Sequence, residues 1–144
     1  MTRDADEIAR ASADAMWAED KASRAMGMKV EKVGPGFAVL SMSVGVDMVN
    51  GHGFCHGGYI FSLADSAFAF ACNSHNQRHV AQHCQISYLA PGRLGMRLIA
   101  EARERHRAER SGLYDVTVRS EAGEVIAEFR GHSRSIPGTL VPGA

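Results

Sequence analysis

Residues Gly57 to Cys72 read G-G-Y-I-F-S-L-A-D-S-A-F-A-F-A-C, and no other stretch restricts the fold as much. Tyr59, Ile60, Phe61, Leu63, Phe68 and Phe70 fall around the whole helical circumference, and a helix that is apolar on all sides is a buried one. The pattern predicts a helix from about Gly57 to Asn76, laid against the concave face of a sheet. Asp65 is the only formally charged residue between Asp47 and Arg78. Its helical neighbours Ser62, Ser66, Ala69 and Asn73 make one narrow stripe of small or polar groups on an otherwise greasy rod.

The remaining chain supplies the sheet. Met28 to Val33 and Phe37 to Val46 read as strands joined by a Gly34-Pro35-Gly36 turn. His79 to Ala90, Gly95 to Glu109, Leu113 to Glu121 and Glu124 to Ser135 follow as a meander punctuated by Pro91-Gly92, Ser111-Gly112 and Ala122-Gly123. Before them, an Ala-rich helix free of Gly and Pro runs from about Asp4 to Met26 and stops at Gly27. Helices interleaved in this way with hairpin-linked strands predict an antiparallel α+β fold, because the repeated β-α-β units of a parallel sheet are missing. The expected division is an N-terminal helix over 1–27, one α+β domain over 28–136 and a flexible tail over 137–144.

The chain has 144 residues, room for one domain with its own core. Its 16 basic and 16 acidic residues and a pI near 7.1 argue against nucleic-acid partners and against acidic membrane surfaces. No apolar run is long enough for a membrane span, and Asp4, Asp6 and Glu7 replace the apolar core of a signal peptide. Cys55, Cys72 and Cys84 are odd in number and form no C-x-x-C. A cytoplasmic protein with reduced thiols is the expectation.

A buried carboxylate needs a reason, since an unpaired one costs several kcal/mol or takes up a proton. Asp65 either pairs with a cation or local hydroxyls, or it lines a crevice as a base or nucleophile. The preceding loop, Asn50-Gly51-His52-Gly53-Phe54-Cys55-His56-Gly57-Gly58, bears on that choice. Adjacent glycines at a helix start permit close approach to unpaired N–H groups, and the helix dipole suits a developing oxyanion. The plainer reading is a Gly-rich entry turn. Gly57 and Asp65 lie eight residues apart, roughly 12 Å along a helix rising 1.5 Å per residue. One reacting carbon needs partners at about 3 Å, so both cannot serve it from the same chain. If both act, a two-fold antiparallel pairing of these helices brings Asp65 from a second copy, with two sites per dimer.

The run Met48-x-Asn50-x-x-Gly53-x-x-His56-Gly57-Gly58-x-x-Phe61-x-Leu63-Ala64-Asp65-x-Ala67 resembles the signature of hotdog-fold acyl-CoA thioesterases. The likeness is strongest to the phenylacetate-pathway, PaaI-type branch, over His56 to Ser74 and again over Phe129 to Ser133. It spans about Gly27 to Ile136. The resemblance implies an antiparallel sheet wrapped around a long central helix, homodimers assembling to homotetramers, and hydrolysis of acyl-CoA, often with aryl or hydroxyaryl acetyl groups. By the same resemblance Asp65 matches the acidic base or nucleophile given by the partner subunit. Gly57 matches the amide that polarises the thioester carbonyl, Asn50 the side chain positioning carbonyl or water, and His56 the histidine near the leaving thiol. Gly58, Phe61, Ser66, Gln82, Arg130 and Arg134 are candidate substrate contacts. No metal or organic cofactor is implied. One position departs from the pattern. Ala81 stands where some related enzymes place a water-holding Ser or Thr, so either Gln82 substitutes or Asp65 works with Asn50 alone.

Other constellations compete less well. His52 and His56, and His75, His79 and His83, have zinc-like spacing, but loops and a helix-to-strand change interrupt each set and no H-E-x-x-H occurs. A Cys55/His56 pair is a poor nucleophile site, because sequence neighbours rarely face each other as such chemistry requires. Residues 101–110 are dense in both charges and read as a solvated strand face. Arg103, Arg105 and Arg107 compete there with Arg130, His132 and Arg134 as ligands for coenzyme A phosphates. Phe54, Tyr59, Phe61 and Phe68 are either aryl-pocket walls or core. The rival functions are a module that binds or senses acyl-CoA without cleaving it, and a hotdog dehydratase or hydratase.

Overall fold

A computed structural model describes residues 3–142. The element order is α1 (Ala5–Glu19), α2 (Lys21–Ala25), β1 (Lys29–Gly34), β2 (Phe37–Ser43), a short 3-10 turn (Val46–Met48), α3 (Gly57–Cys72), β3 (His79–Tyr88), β4 (Arg97–Arg107), β5 (Ser111–Ser120) and β6 (Val125–Ser135). The strands form one antiparallel six-stranded sheet in the order β1-β2-β4-β5-β6-β3. The α+β expectation holds.

The N-terminal helix is two helices rather than one. Asp20 ends α1 and caps α2, its carboxylate accepting from Ser23 N–H at 2.9 Å and from the Ser23 hydroxyl at 2.7 Å. An acid that can hold its own following turn competes with helix continuation. Gly27, at φ +74°, stops α2 as expected. Helix α3 ends at Cys72, four residues early, because Asn73 turns its amide back onto the Ala69 carbonyl at 2.9 Å and accepts His79 N–H at 2.9 Å.

The meander reading holds for β4, β5 and β6 but not for β3. Pro91-Gly92 is no hairpin turn: the Gly92 carbonyl accepts Cys55 N–H at 2.8 Å, and Phe54 bridges to Arg93. This crossing sends β4 to pair with β2 and leaves β3 beside β6, at the edge of the sheet. The outer edge of β3 has no strand against it among the described residues.

Alternating residues of β2, β4, β5 and β6 bury one face against α3. Leu40, Met42, Leu98, Ala100, Val116, Val118 and Phe129 meet Leu63, Ala67, Phe68 and Phe70 there, all 2 % exposed or less. Helix and strand pack tightly at Gly131, where a Cβ would stand 2.8 Å from the Phe68 ring.

The tail is irregular but anchored. Asn76, in the left-handed region at φ 60°, accepts Leu140 and Val141 N–H through Oδ1 and donates to the Val141 carbonyl, each at 2.9 Å. Gln77 donates to the Ile136 carbonyl at 2.7 Å, and Arg78 Nε to the Thr139 carbonyl at 3.0 Å. Over 137–141 side chains satisfy the backbone in place of a ladder. Residues 143 and 144 lie outside the described residues.

Candidate active site

The loop before α3 is built from its own side chains. Asn50 Oδ1 accepts His52 N–H at 2.9 Å and Phe54 N–H at 3.3 Å, which folds the loop back and leaves the Asn50 Nδ2 donor free among the described residues. His56 caps α3: its Nδ1 accepts Gly58 N–H at 2.9 Å. That bond makes Nε2 the protonated nitrogen of the neutral ring, and Nε2–H points away from the helix start as a donor.

These contacts use up the amides around one position. His56 N–H bonds the Met48 carbonyl at 2.7 Å, Tyr59 N–H bonds the His56 carbonyl at 3.0 Å, and Gly58 N–H is taken by the His56 ring. Gly57 N–H has no partner among the described residues. The peptide group that carries it is polarised, since its carbonyl, that of His56, accepts the Tyr59 amide. An unpaired N–H at the positive end of a four-turn helix favours negative charge at that point.

Beside this amide opens an apolar cleft of about 430 Å³, walled by Phe54, Cys55, Ile60, Tyr88, Leu89 and Pro91. Tyr88 donates its hydroxyl to the Gly57 carbonyl at 2.9 Å, and a Cβ on Gly57 would stand 3.0 Å from the ring. Sequence reasoning missed Tyr88. Only the register that puts the end of β3 against the start of α3 reveals it.

Asp65 sits in mid-helix on the half-buried stripe, and no hydrogen bond or ion pair engages its carboxylate among the described residues. The structure thus offers neither the cation nor the hydroxyl that would have made it an ordinary structural acid. Burial pushes its pKa above the ordinary carboxylate value. Its charge is felt by two thiols. Cys72 is pushed up to about 12, chiefly by burial and then by Asp65, and Cys84 on β3 is raised for the same two reasons.

The other candidates scatter. Ser66 meets the Ser23 hydroxyl at 2.8 Å, tying α2 to the helix beside Asp65. Phe61 packs edge-on against Phe129 with ring centroids 5.4 Å apart, and Gly58 is exposed at the helix start. Gln82 falls on a bulge: Ala81 pairs with Ser133 and His83 with His132, so Gln82 is the extra residue. Bulges re-aim side chains at sheet edges. Arg130 and Arg134 lie on the sheet face opposite α3. There Arg130 grips Asp115 at 2.7 and 3.0 Å, whereas Arg134 has no ion pair among the described residues and lines a cleft of about 480 Å³ with Arg110 and Gln77. Arg103 is held by Glu101 at 2.9 Å and Arg105 by Asp115 at 3.4 Å.

Of the aromatic candidates, Phe68 is core, packed on Tyr114 and Phe129, and Phe54 is exposed at the cleft. Cys55 is buried with a raised pKa and directs its thiol at the His56 carbonyl, not at the ring. The histidines go to separate tasks: His75 to Glu104 at 2.9 Å, His79 to Ser133 at 3.0 Å, and His83 stacked edge-on with His132. No group of three or more metal-ligating side chains converges among the described residues.

An antiparallel sheet closed over one long helix in this order is a hotdog fold. The sequence profile of the thioesterase superfamily matches residues 52–127. The chain is 43 % identical to the acyl-coenzyme A thioesterase PaaI of Escherichia coli strain K12 over 129 residues, 90 % of this chain and 92 % of that one. The structure of the E. coli PaaI protein from the phenylacetic acid degradation operon superposes with a TM-score of 0.93 at 42 % identity, covering 94 % of this chain and 99 % of that one. A variant of the phenylacetic acid degradation protein PaaI from Thermus thermophilus gives a TM-score of 0.79 at 38 % identity, covering 81 % and 100 %. The chain belongs to the thioesterase superfamily. No helix among the described residues is long and apolar enough to cross a membrane.

Proposed function

We propose that the protein hydrolyses acyl-CoA thioesters, with arylacetyl or hydroxyarylacetyl groups as the preferred acyl class, at sites shared between two copies of the chain. The likeness to an acyl-coenzyme A thioesterase and to phenylacetic acid degradation proteins supports the substrate class. The observation that carries the chemistry is the pair of unsatisfied groups on α3: a free Gly57 N–H at its start and an unpaired Asp65 carboxylate in its middle. Their separation, roughly 12 Å along the axis, favours a two-fold arrangement in which each helix presents its acid to the other's amide. The unpaired edge of β3 agrees with the same pairing, since an exposed edge is a surface on which another chain can be continued.

In such a site the thioester carbonyl accepts Gly57 N–H. Asp65 of the second copy either takes a proton from a water whose hydroxide adds to the carbonyl carbon, or adds to that carbon itself. Charge collects on the carbonyl oxygen, where one oriented donor is worth about 3 kcal/mol. Collapse breaks the carbon–sulfur bond, giving the free acid directly or an Asp65 mixed anhydride that a water then hydrolyses; the thiolate leaves hydrogen-bonded to His56 Nε2–H and takes its proton from solvent. Asn50 Nδ2 holds the carbonyl or the water. Single-turnover hydrolysis in heavy-oxygen water probes the two routes: the water route labels only the product acid, and label in the Asp65 side chain requires the anhydride, opened at the aspartyl carbon. Arg134 and Arg110, which share a cleft with Glu109 but make no ion pair among the described residues, are the better phosphate ligands of the arginine candidates, Arg130 being held bidentately by Asp115. Homotetramers, built by pairing such dimers, and a cytoplasmic location complete the reading.

A thiol-release assay over propionyl-, octanoyl-, phenylacetyl- and hydroxyphenylacetyl-CoA tests it. Turnover with the aryl substrates favoured is the expected result. Tight binding of these thioesters with no thiol released would make the protein a sensor instead.

A further inference from the structure

We infer that Tyr88 is a positioning residue for His56: acting through the peptide group between Gly57 and Gly58, its hydroxyl holds the imidazole in the form that presents Nε2–H to the leaving thiolate. The inference rests on the hydrolytic reading above and adds a residue to it. It starts from one peptide plane gripped at both ends. The carbonyl of that plane, on Gly57, accepts the Tyr88 hydroxyl at 2.9 Å. Its amide, on Gly58, donates to His56 Nδ1 at 2.9 Å.

The two glycines make this grip possible. A Cβ on Gly57 would stand 3.0 Å from Tyr88 Cζ, and a Cβ on Gly58 would stand 3.1 Å from His56 Nδ1. Each ring therefore lies over one bare α-carbon, and a side chain at either position would crowd the ring that holds the plane. The fold delivers Tyr88 to this point as the last residue of β3. The next two amides, of Leu89 and Ala90, both bond the Ile126 carbonyl, at 2.8 and 3.2 Å, which fixes the strand end beside α3. Burial raises the pKa of the phenol, so its hydroxyl stays a donor. Tyr59 stands edge-on to the imidazole, with ring centroids 6.4 Å apart.

The hydroxyl acts on the imidazole by polarisation. Donation to a carbonyl polarises the whole amide, and its N–H becomes the stronger donor. A stronger donor at Nδ1 favours the neutral tautomer that carries its hydrogen on Nε2. It also draws electron density from the ring, which makes Nε2–H a better partner for an anion. The series of bonds runs from phenol to amide to imidazole and ends where the thiolate departs in the proposed reaction. No proton crosses the peptide. Without the hydroxyl, the Gly58 amide holds Nδ1 less firmly, and the ring is freer to take the other tautomer.

Tyr88→Phe removes one oxygen and keeps the ring, so it tests the hydroxyl alone. With phenylacetyl-CoA the expected result is a fall of about three- to tenfold in kcat, with KM within about twofold, the range of one neutral hydrogen bond. The readout that a merely structural role would not move is the leaving group. With the phenylacetyl thioester of para-nitrothiophenol, whose thiolate departs without help, the loss should shrink to less than about twofold. In a His56→Ala background Tyr88→Phe should cost nothing further in residual activity. Nitrogen NMR spectra of the imidazole, taken above the ordinary histidine pKa, should show the Nε2-protonated ring in the wild type and a larger share of the Nδ1-protonated ring in the Phe variant. Equal losses with the two leaving groups, an undiminished loss in the His56→Ala background, or unchanged imidazole spectra would overturn the inference and leave hydrolysis standing. Should the wild type release no thiol from any acyl-CoA, the hydrolytic reading falls by itself, and the spectra decide whether Tyr88 sets the ring.

Discussion

Asp65 holds a charge that the fold does not compensate. Desolvation raises its pKa, so between the ordinary carboxylate value and the raised one the folded chain binds a proton that the unfolded chain releases. Stability from this group is present below that window and lost as pH rises through it. Asp65→Asn keeps the shape and removes the charge. The expected outcome is a higher Tm at neutral pH together with loss of turnover, read by calorimetry and thiol release on one preparation. In the wild type the acid limb of kcat/KM should lie above the ordinary carboxylate range, because the reaction needs the ionised form. Turnover in the Asn variant close to wild type would remove Asp65 from the chemistry. This residue was legible in the sequence because a lone acid on an apolar helix has few innocent explanations. Tyr88 was not, since its role exists only through the Gly57 carbonyl 31 positions away.

At the scale of elements, the packing of α3 on the sheet is tight at one glycine. Gly131 belongs to the Phe-Arg-Gly segment of β6, and Phe68 occupies the space where a side chain would begin. Phe68 is 1 % exposed and packed on Tyr114 and Phe129, so it has nowhere to move. Gly131→Ala is expected to destabilise the fold by about 1–3 kcal/mol through overpacking. In a chain of this size that lowers Tm by about 3 °C or more, measured by thermal unfolding. Gly112 faces similar crowding from Tyr114 and Ser133. Periodicity and glycine-bearing turns were enough to find α3 and all six strands, since β2, β4, β5 and β6 alternate buried with exposed residues and α3 is apolar throughout. They failed where long-range bonds decide. The break at Asp20 depends on Ser23, the passage of Pro91-Gly92 beneath the active-site loop depends on Cys55, and the anchored tail depends on Asn76. None of those partners has a periodic signature, so β3 read as a meander strand when it is the sheet's edge.

For the whole molecule, the division of labour between Gly57 and Asp65 makes a prediction that no single-chain site shares. His56→Ala damages the half of the site at the start of α3, where the ring holds Gly58 N–H, and Asp65→Asn damages the half in its middle. Each variant alone leaves both sites of a dimer defective. Co-refolding the two in equal amounts yields, at random assortment, half mixed dimers, and in a mixed dimer both lesions fall on one site while the other draws an intact half from each chain. About a quarter of wild-type activity should return. If each chain carried a complete site, every site in the mixture would hold one lesion and nothing would return. Mixing after folding, without denaturant, serves as the control, since strand-edge and helix contacts formed by an apolar face exchange slowly. Sedimentation of the wild type should show no monomer at assay concentrations, because a monomer leaves the β3 edge, Val80 and Tyr88 in water. An active, well-folded monomer would overturn the shared site more decisively than a failed complementation, since it would leave roughly 12 Å of helix between the amide and the acid with no second chain to bridge it.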